Sequence, residues 1–283
     1  MRTLVVAAIL LVSCNRGAER VVVGSKNFTE SVILGEVVAQ SLEKAGCRVD
    51  RKLDLGGSLV CDRAIVAGGI DVYPEYSGTA LTAILARPLS RDHAAVMAAV
   101  GSAYAGRRLR WGPPLGFENT FAMIVRRADA ERLSLRRISD LARVAATFCP
   151  GFGYEFVSRP DGWNGLQQTY GLQFAQAPRT MDLGLTYRAL ASNQVDLIAG
   201  NSTDGLIDSL GLVVLEDDRR YFPPYDTVLV SRTDLGTKCA AAPAALESLR
   251  NALDGAAMRR LNYAVDGQHQ PAAQVAAAFV KSR

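Results

Sequence analysis

The chain has 283 residues, enough for about two domains with a sizeable core in each. Hydrophobic residues make up 49% of it and charged residues 21%, so an intrinsically disordered chain is excluded. The net charge of +4 is mild and the arginines fall in scattered pairs without interleaved aromatics, which leaves no nucleic-acid signature.

Met1-Arg2-Thr3 carries a positive charge and leads into an apolar run from Leu4 to Val12, followed by Ser13 and Cys14, the pattern of a signal peptide. The run is about half of the ~20 residues that a membrane-spanning helix needs, and no other stretch reaches that length. Leu11-Val12-Ser13-Cys14 resembles the lipobox of bacterial lipoproteins. That resemblance implies cleavage before Cys14, acylation of its thiol and anchorage to an outer membrane face, with residues 15–20 as a tether. Cys47, Cys61, Cys149 and Cys239 then remain in an oxidising compartment, where three full pairings are open. For Cys61 and Cys149, in apolar surroundings, buried free thiols are an equal alternative. No cysteines are closely spaced, and His93 and His269 lie in unrelated contexts, one in a helical stretch and one in a polar turn. No metal site is therefore expected.

Val21-Val22-Val23 reads as a buried strand ending at Gly24-Ser25. Ser31 to Leu42 carries Val32, Ile33, Val37, Val38 and Leu42 mostly at helical spacing, and Gly46 closes the helix. Arg48 to Leu55 alternates as a strand, Ser58 to Ala67 is helical up to Gly68-Gly69, and Ile70 to Tyr73 is a third strand. This rhythm predicts an α/β fold with parallel strand pairs, covering helices and ligand loops at the carboxyl ends of strands.

AIVAGGIDVYPEYSGTA from Ala64 is echoed by ALASNQVDLIAGNSTDG from Ala189, at an offset of about 125 residues. The echo matches Asp71 with Asp196, Tyr76 with Asn201 and Ser77 with Ser202, and it predicts two equivalent lobes facing a shared cleft. Asp71 and Asp196 are expected to brace their loops. Turn-rich stretches at Trp111 to Gly116 and Phe222 to Tyr225 are expected to carry the chain between lobes. Lobe 1 would then comprise 21–116 and 227–283, and lobe 2 would comprise 117–226. A strand over Thr227 to Ser231 and helices around Pro243 to Leu253 and Gln274 to Val280 complete lobe 1.

Ser25-Lys26-Asn27-Phe28-Thr29-Glu30 and Asp71-Val72-Tyr73-Pro74-Glu75-Tyr76-Ser77-Gly78-Thr79 resemble segments of the solute-binding proteins of ABC importers for glycine betaine, choline and related osmoprotectants. Pro114 to Thr120, Glu155-Phe156 with Arg159 to Gly162, Ser202 to Gly205 and Phe222 to Tyr225 are similar to that family's segments too, in family order. The resemblance implies a two-lobe type II periplasmic-binding-protein (clamshell) fold, each lobe a mixed sheet flanked by helices. By motif, the positions resembling a cation cage are Tyr76, Phe121, Asn201 and Tyr225, and those resembling a carboxylate grip are Lys26, Thr79 and Arg159.

The chemistry suits those residue types. A quaternary ammonium has no N–H to donate, so aromatic faces must surround it, whereas a carboxylate takes charge-assisted bonds from Arg or Lys. Phe121 keeps a ring but lacks a phenolic hydroxyl, and Asn201 replaces an aromatic wall with an amide that can hydrogen-bond. Replacing Arg159 with Ala is expected to weaken a carboxylate ligand and spare the fold.

The sequence holds no phosphate loop, zinc-protease helix or nucleophile elbow, so an enzyme is not expected. The resemblance implies no cofactor. It implies a lipid-anchored monomer that binds a methylated amine or betaine and docks on permease subunits with their ATPase. A sensor or receptor subunit binding a different small zwitterionic amine without transport stands as the alternative.

Overall fold

The computed structural model describes residues 19–283, so the expected signal peptide and the expected lipidation site at Cys14 lie outside the described residues. The strands in chain order are β1 (Val21–Gly24), β2 (Val49–Lys52), β3 (Val72–Tyr76), β4 (Leu109–Glu118) and β5 (Phe121–Arg126). They continue with β6 (Pro150–Gly153), β7 (Arg179–Met181), β8 (Leu197–Asn201), β9 (Leu212–Leu215) and β10 (Asp226–Arg232). Two five-stranded mixed sheets result, β2-β1-β3-β10-β4 and β7-β6-β8-β5-β9.

The sheets share one plan. In the first, β1 pairs in parallel with β2 and β3, and β10 lies antiparallel between β3 and β4. In the second, β6 pairs in parallel with β7 and β8, and β5 lies antiparallel between β8 and β9. Strands β3 and β8, which carry the echoed segments, therefore hold the same central place, and Tyr76 and Asn201 are their last residues.

Helix α1 (Thr29–Lys44) buries Ile33, Leu34, Val37, Val38 and Leu42 against Val21, Val23 and Val72, at about 1.5–3 kcal/mol for each large side chain removed from water. Helix α2 (Ser58–Val66) packs Cys61 and Ile65 on the other face with Tyr73, Tyr104 and Val228. The second sheet is covered likewise, by Phe152, Trp163 and Leu166 with Met123 on one face and by Tyr187 and Leu190 with Ile124 on the other. With β10 the chain returns to the first lobe, where helix Ala272–Lys281 supplies Ala276 to the α1 core.

Several elements differ from the sequence expectation. The Trp111 to Gly116 stretch, expected as a turn-rich crossing, lies inside β4. Its prolines are tolerated because β4 is an edge strand with irregular register against β10. The open side of β4 is covered by Asn251 and Leu253, whose N–H groups donate to the carbonyls of Pro114 and Leu115 at 3.1 Å each. That pairing explains why the helix expected to reach Leu253 stops at Glu247. Gly116, at φ +113°, is needed there, because a Cβ would collide with the Leu253 carbonyl. The third strand begins two residues later than Ile70, whose N–H is held by the Ala64 carbonyl at the end of α2, and it runs through Pro74 to Tyr76. Cys47 and Cys239 form a disulfide within the first lobe, and Cys61 and Cys149 are free.

Candidate functional site

The carboxyl ends of β3 and β8 face one cleft between the sheets. Lys26, Tyr76, Thr79, Phe121, Arg159, Asn201 and Tyr225 all line a single cavity there, of about 250 Å³. Lys26 follows β1, and Tyr76 ends β3 with Thr79 three residues on. Phe121 opens β5 directly opposite Asn201 on β8, Arg159 follows the short helix Tyr154–Ser158, and Tyr225 precedes β10.

The cations at this site are already paired. Lys26 Nζ donates to the buried Glu75 carboxylate and sits 4.9 Å from the Tyr76 ring centroid. Arg159 makes a two-bond fork with Asp161, Nε to Oδ1 at 2.9 Å and Nη2 to Oδ2 at 2.6 Å. Its guanidinium carbon lies 4.9 Å from the Phe121 ring centroid and 5.9 Å from that of Tyr225. The grip cations thus rest on the cage rings, so cage and grip are one interlocked set. Three groups of the set are left without a hydrogen bond among the described residues: the Thr79 hydroxyl, Arg159 Nη1 and Asn201 Oδ1. Arg159 Nη1 only approaches Glu155, at 3.7 Å.

Burial pushes the Asp161 carboxyl up, but the Arg159 guanidinium, helped by the Tyr225 hydroxyl, outweighs it and holds the group below its ordinary range. Burial raises Glu75 above its ordinary value even with the Lys26 ammonium beside it. The phenols of Tyr76 and Tyr225 are pushed well above their usual range by burial and adjacent carboxylates, which keeps both hydroxyls as donors. Tyr76 donates to Glu30 at 2.7 Å and Tyr225 to Asp161 at 2.6 Å.

Residue reasoning named no role for the carboxylates behind the rings, although Glu30, Glu75 and Asp161 all fall inside the matched segments. Glu30 is a hub: it also accepts from Asn119 at 2.9 Å, Thr203 at 2.6 Å and Asn262 at 3.2 Å, joining α1 to the loop after β8 and to helix Gly255–Asp266. Burial raises its carboxyl above the ordinary value. Phe28 and Phe156 were missed as well; both line the cavity, with Phe28 6.0 Å from Tyr76 and Phe156 4.9 Å from Phe121 between ring centroids. Glu155 reaches across the cleft to accept the Ser58 N–H at the start of α2, at 2.7 Å. Asn201 turns its amide nitrogen toward Asp204, at 3.3 Å, which leaves its oxygen for the cavity.

Residues 19–282 match the family model described as the substrate binding domain of ABC-type glycine betaine transport system. A glycine-betaine-binding protein of Pseudomonas aeruginosa is 35% identical over 93% of this chain and 88% of its own. The carnitine transport binding protein OpuCC of Listeria monocytogenes is 29% identical over 92% of this chain and 85% of its own. A crystal structure of a glycine betaine/carnitine/choline ABC transporter protein is 29% identical and superposes with a TM-score of 0.76, covering 93% of this chain and 98% of that one. Family match, two-lobe topology and interlobe cavity agree, and the chain belongs to the family of substrate-binding domains of ABC-type glycine betaine transport systems.

Proposed function

We propose that this chain captures a small quaternary-ammonium or betaine-like solute between its lobes and presents it to ABC permease subunits driven by their ATPase. The observation that carries this reading is the convergence of Tyr76, Phe121, Tyr225, Phe28 and Phe156 on one interlobe cavity, a lining suited to a cation that cannot donate hydrogen bonds. The lobes are assigned as 21–116 with 227–283 and 117–226, an assignment that agrees with the two sheets except at Phe117, Glu118 and Asp226, which belong to strands of the first sheet.

The methylated head packs against the rings on the faces that Lys26 and Arg159 leave open. Because Glu75 and Asp161 neutralise those cations, and Glu155 and Asp182 add carboxylates at the wall, the site attracts the cationic end of the solute most strongly. An anionic end is served by Arg159 Nη1 and the Thr79 hydroxyl, and Asn201 Oδ1 accepts from a polar substituent. Closure is read by the permease, and ATP hydrolysis reopens the lobes. Lipid on Cys14 would keep the monomer at the outer membrane face, and the Cys47–Cys239 disulfide suits that compartment.

Calorimetric titration of the purified protein with choline, glycine betaine, proline betaine, carnitine and ergothioneine, with glycine as unmethylated control, tests the reading. One-to-one binding of a methylated compound with glycine silent is expected. Silence across the methylated panel would overturn it.

A further inference from the structure

We propose that His93, Glu118 and Asp226 form a binding site for a divalent transition ion of the Zn2+ class, where the chain leaves the first sheet and returns to it. His93 opens the helix His93–Ala105, Glu118 ends β4 and Asp226 begins β10. His93 Nδ1 lies 3.2 Å from Asp226 Oδ2 and 3.7 Å from Glu118 Oε1, and the three candidate ligand atoms all fall within 4.8 Å of one another. Ligands held at about 2.1 Å from a four-coordinate ion stand roughly 3.4 Å apart, so small side-chain movements complete the arrangement.

The charge arrangement points the same way. Glu118 and Asp226 are direct register partners in the β4–β10 ladder, where like charges repel. Among the described residues, His93 is the sole ion-pairing partner of either carboxylate. Arg91 and Arg220 line the same recess without pairing to them. A divalent ion between them would offset the repulsion of the two paired carboxylates.

The site is also oriented from behind. Asp226 N–H donates to Ser77 Oγ at 2.9 Å, and Asp92 caps the helix turn that carries His93 by accepting the Ala95 N–H at 3.1 Å. One imidazole with two carboxylates favours Zn2+ and its neighbours over Mg2+ or Ca2+, which prefer all-oxygen shells. No spacing motif announces the set, because its members lie far apart in the chain and meet only in the fold.

The test is titration of chelator-treated protein with ZnCl2, followed by calorimetry and thermal unfolding, with MgCl2 as the control ion. One Zn2+ per chain and a raised unfolding temperature are expected, with no shift from Mg2+. His93→Ala and Glu118→Gln should each weaken Zn2+ binding by at least about tenfold, since even residues that only support a metal ligand are worth 10–100-fold. His269→Ala, which changes the other histidine, should leave Zn2+ binding intact. Absence of saturable Zn2+ binding would overturn the proposal and reduce the cluster to a His–Asp hydrogen bond. Retained affinity in His93→Ala would overturn it too, by placing the ion elsewhere.

Discussion

Arg159 and Asp161, two residues apart across Pro160, form a closed fork in which both carboxylate oxygens accept from the same guanidinium, and Tyr225 donates to that carboxylate as well. Asp161 is fully buried and Arg159 nearly so. The arginine that resembles a ligand's carboxylate grip is therefore also a structural partner, and it fixes the Tyr225 ring through the carboxylate they share.

Removing it should cost the fold as well as the ligand. Arg159→Ala strands a buried carboxylate, a change that typically destabilises by about 3–5 kcal/mol. Urea denaturation should show that loss, and the double variant Arg159→Ala with Asp161→Ala should recover part of it. Wild-type stability in Arg159→Ala would mean that Asp161 finds another partner.

Gly78 sets the position of a second cavity wall. A Cβ there would lie 2.6 Å from the Pro224 carbonyl and 2.7 Å from the Tyr225 ring, so Gly78→Ala must push Tyr225 out of place. Overpacking of this kind costs about 1–3 kcal/mol, and solute affinity should fall in step. Gly184→Ala, with open space around its Cβ, serves as the control. Equal solute affinity for both variants in calorimetry would show that the Tyr225 position does not matter.

The alternating β-branched and helical runs before Tyr76 made the first lobe readable, because hydrophobic period and turn residues agree there. The repeat was readable for a sharper reason. Asp71 N–H donates to the Val22 carbonyl while its carboxylate accepts the Val22 N–H; Asp196 makes the same two bonds to Cys149. Asp71 is then paired with Lys238 and Asp196 with Arg126, so each brace is conserved in geometry but uses a different cation. Strand β4 was hidden by Gly112-Pro113-Pro114, which reads as a turn unless its place at a sheet edge is known. The cavity residues were legible through matched segments, yet their pairing was not. Nothing in the order Arg159-Pro160-Asp161 says that the chain folds the carboxylate back onto the guanidinium, or that Lys26 in the loop after β1 meets Glu75 on β3.

The Cys47–Cys239 disulfide closes a loop of sequence separation 192, tying the turn after α1 to the segment after β10. The chain-entropy model gives about 5 kcal/mol for a loop of that length, and removal of native disulfides from small secreted domains costs about 2–5 kcal/mol. Protein with both cysteines changed to Ser should lose stability within that range in chemical denaturation while still binding solute, since neither cysteine lines the cavity. Lost binding under conditions where the variant is folded would tie the bridge to the cleft.

Asp204 gives the cleft a pH dependence. Burial pushes its carboxyl up to about 6, against the hydrogen bonds it accepts from the Tyr187 hydroxyl at 2.7 Å and the Asn201 N–H at 2.8 Å. Its folded value lies above the unfolded one, so the folded state binds the extra proton between about pH 4 and 6. The group's contribution is most favourable below that window and is lost as pH rises through it. Asp204→Asn should therefore flatten the fall in unfolding temperature between pH 4 and 6 relative to the unmodified chain. Protonation also weakens the acceptor that holds the Asn201 amide nitrogen, so solutes that use Asn201 Oδ1 should bind differently at pH 5 and pH 7.5. In Asp204→Asn that difference should shrink. A pH profile of stability and affinity identical in both proteins would place the titration elsewhere and leave Asn201 held by contacts other than Asp204.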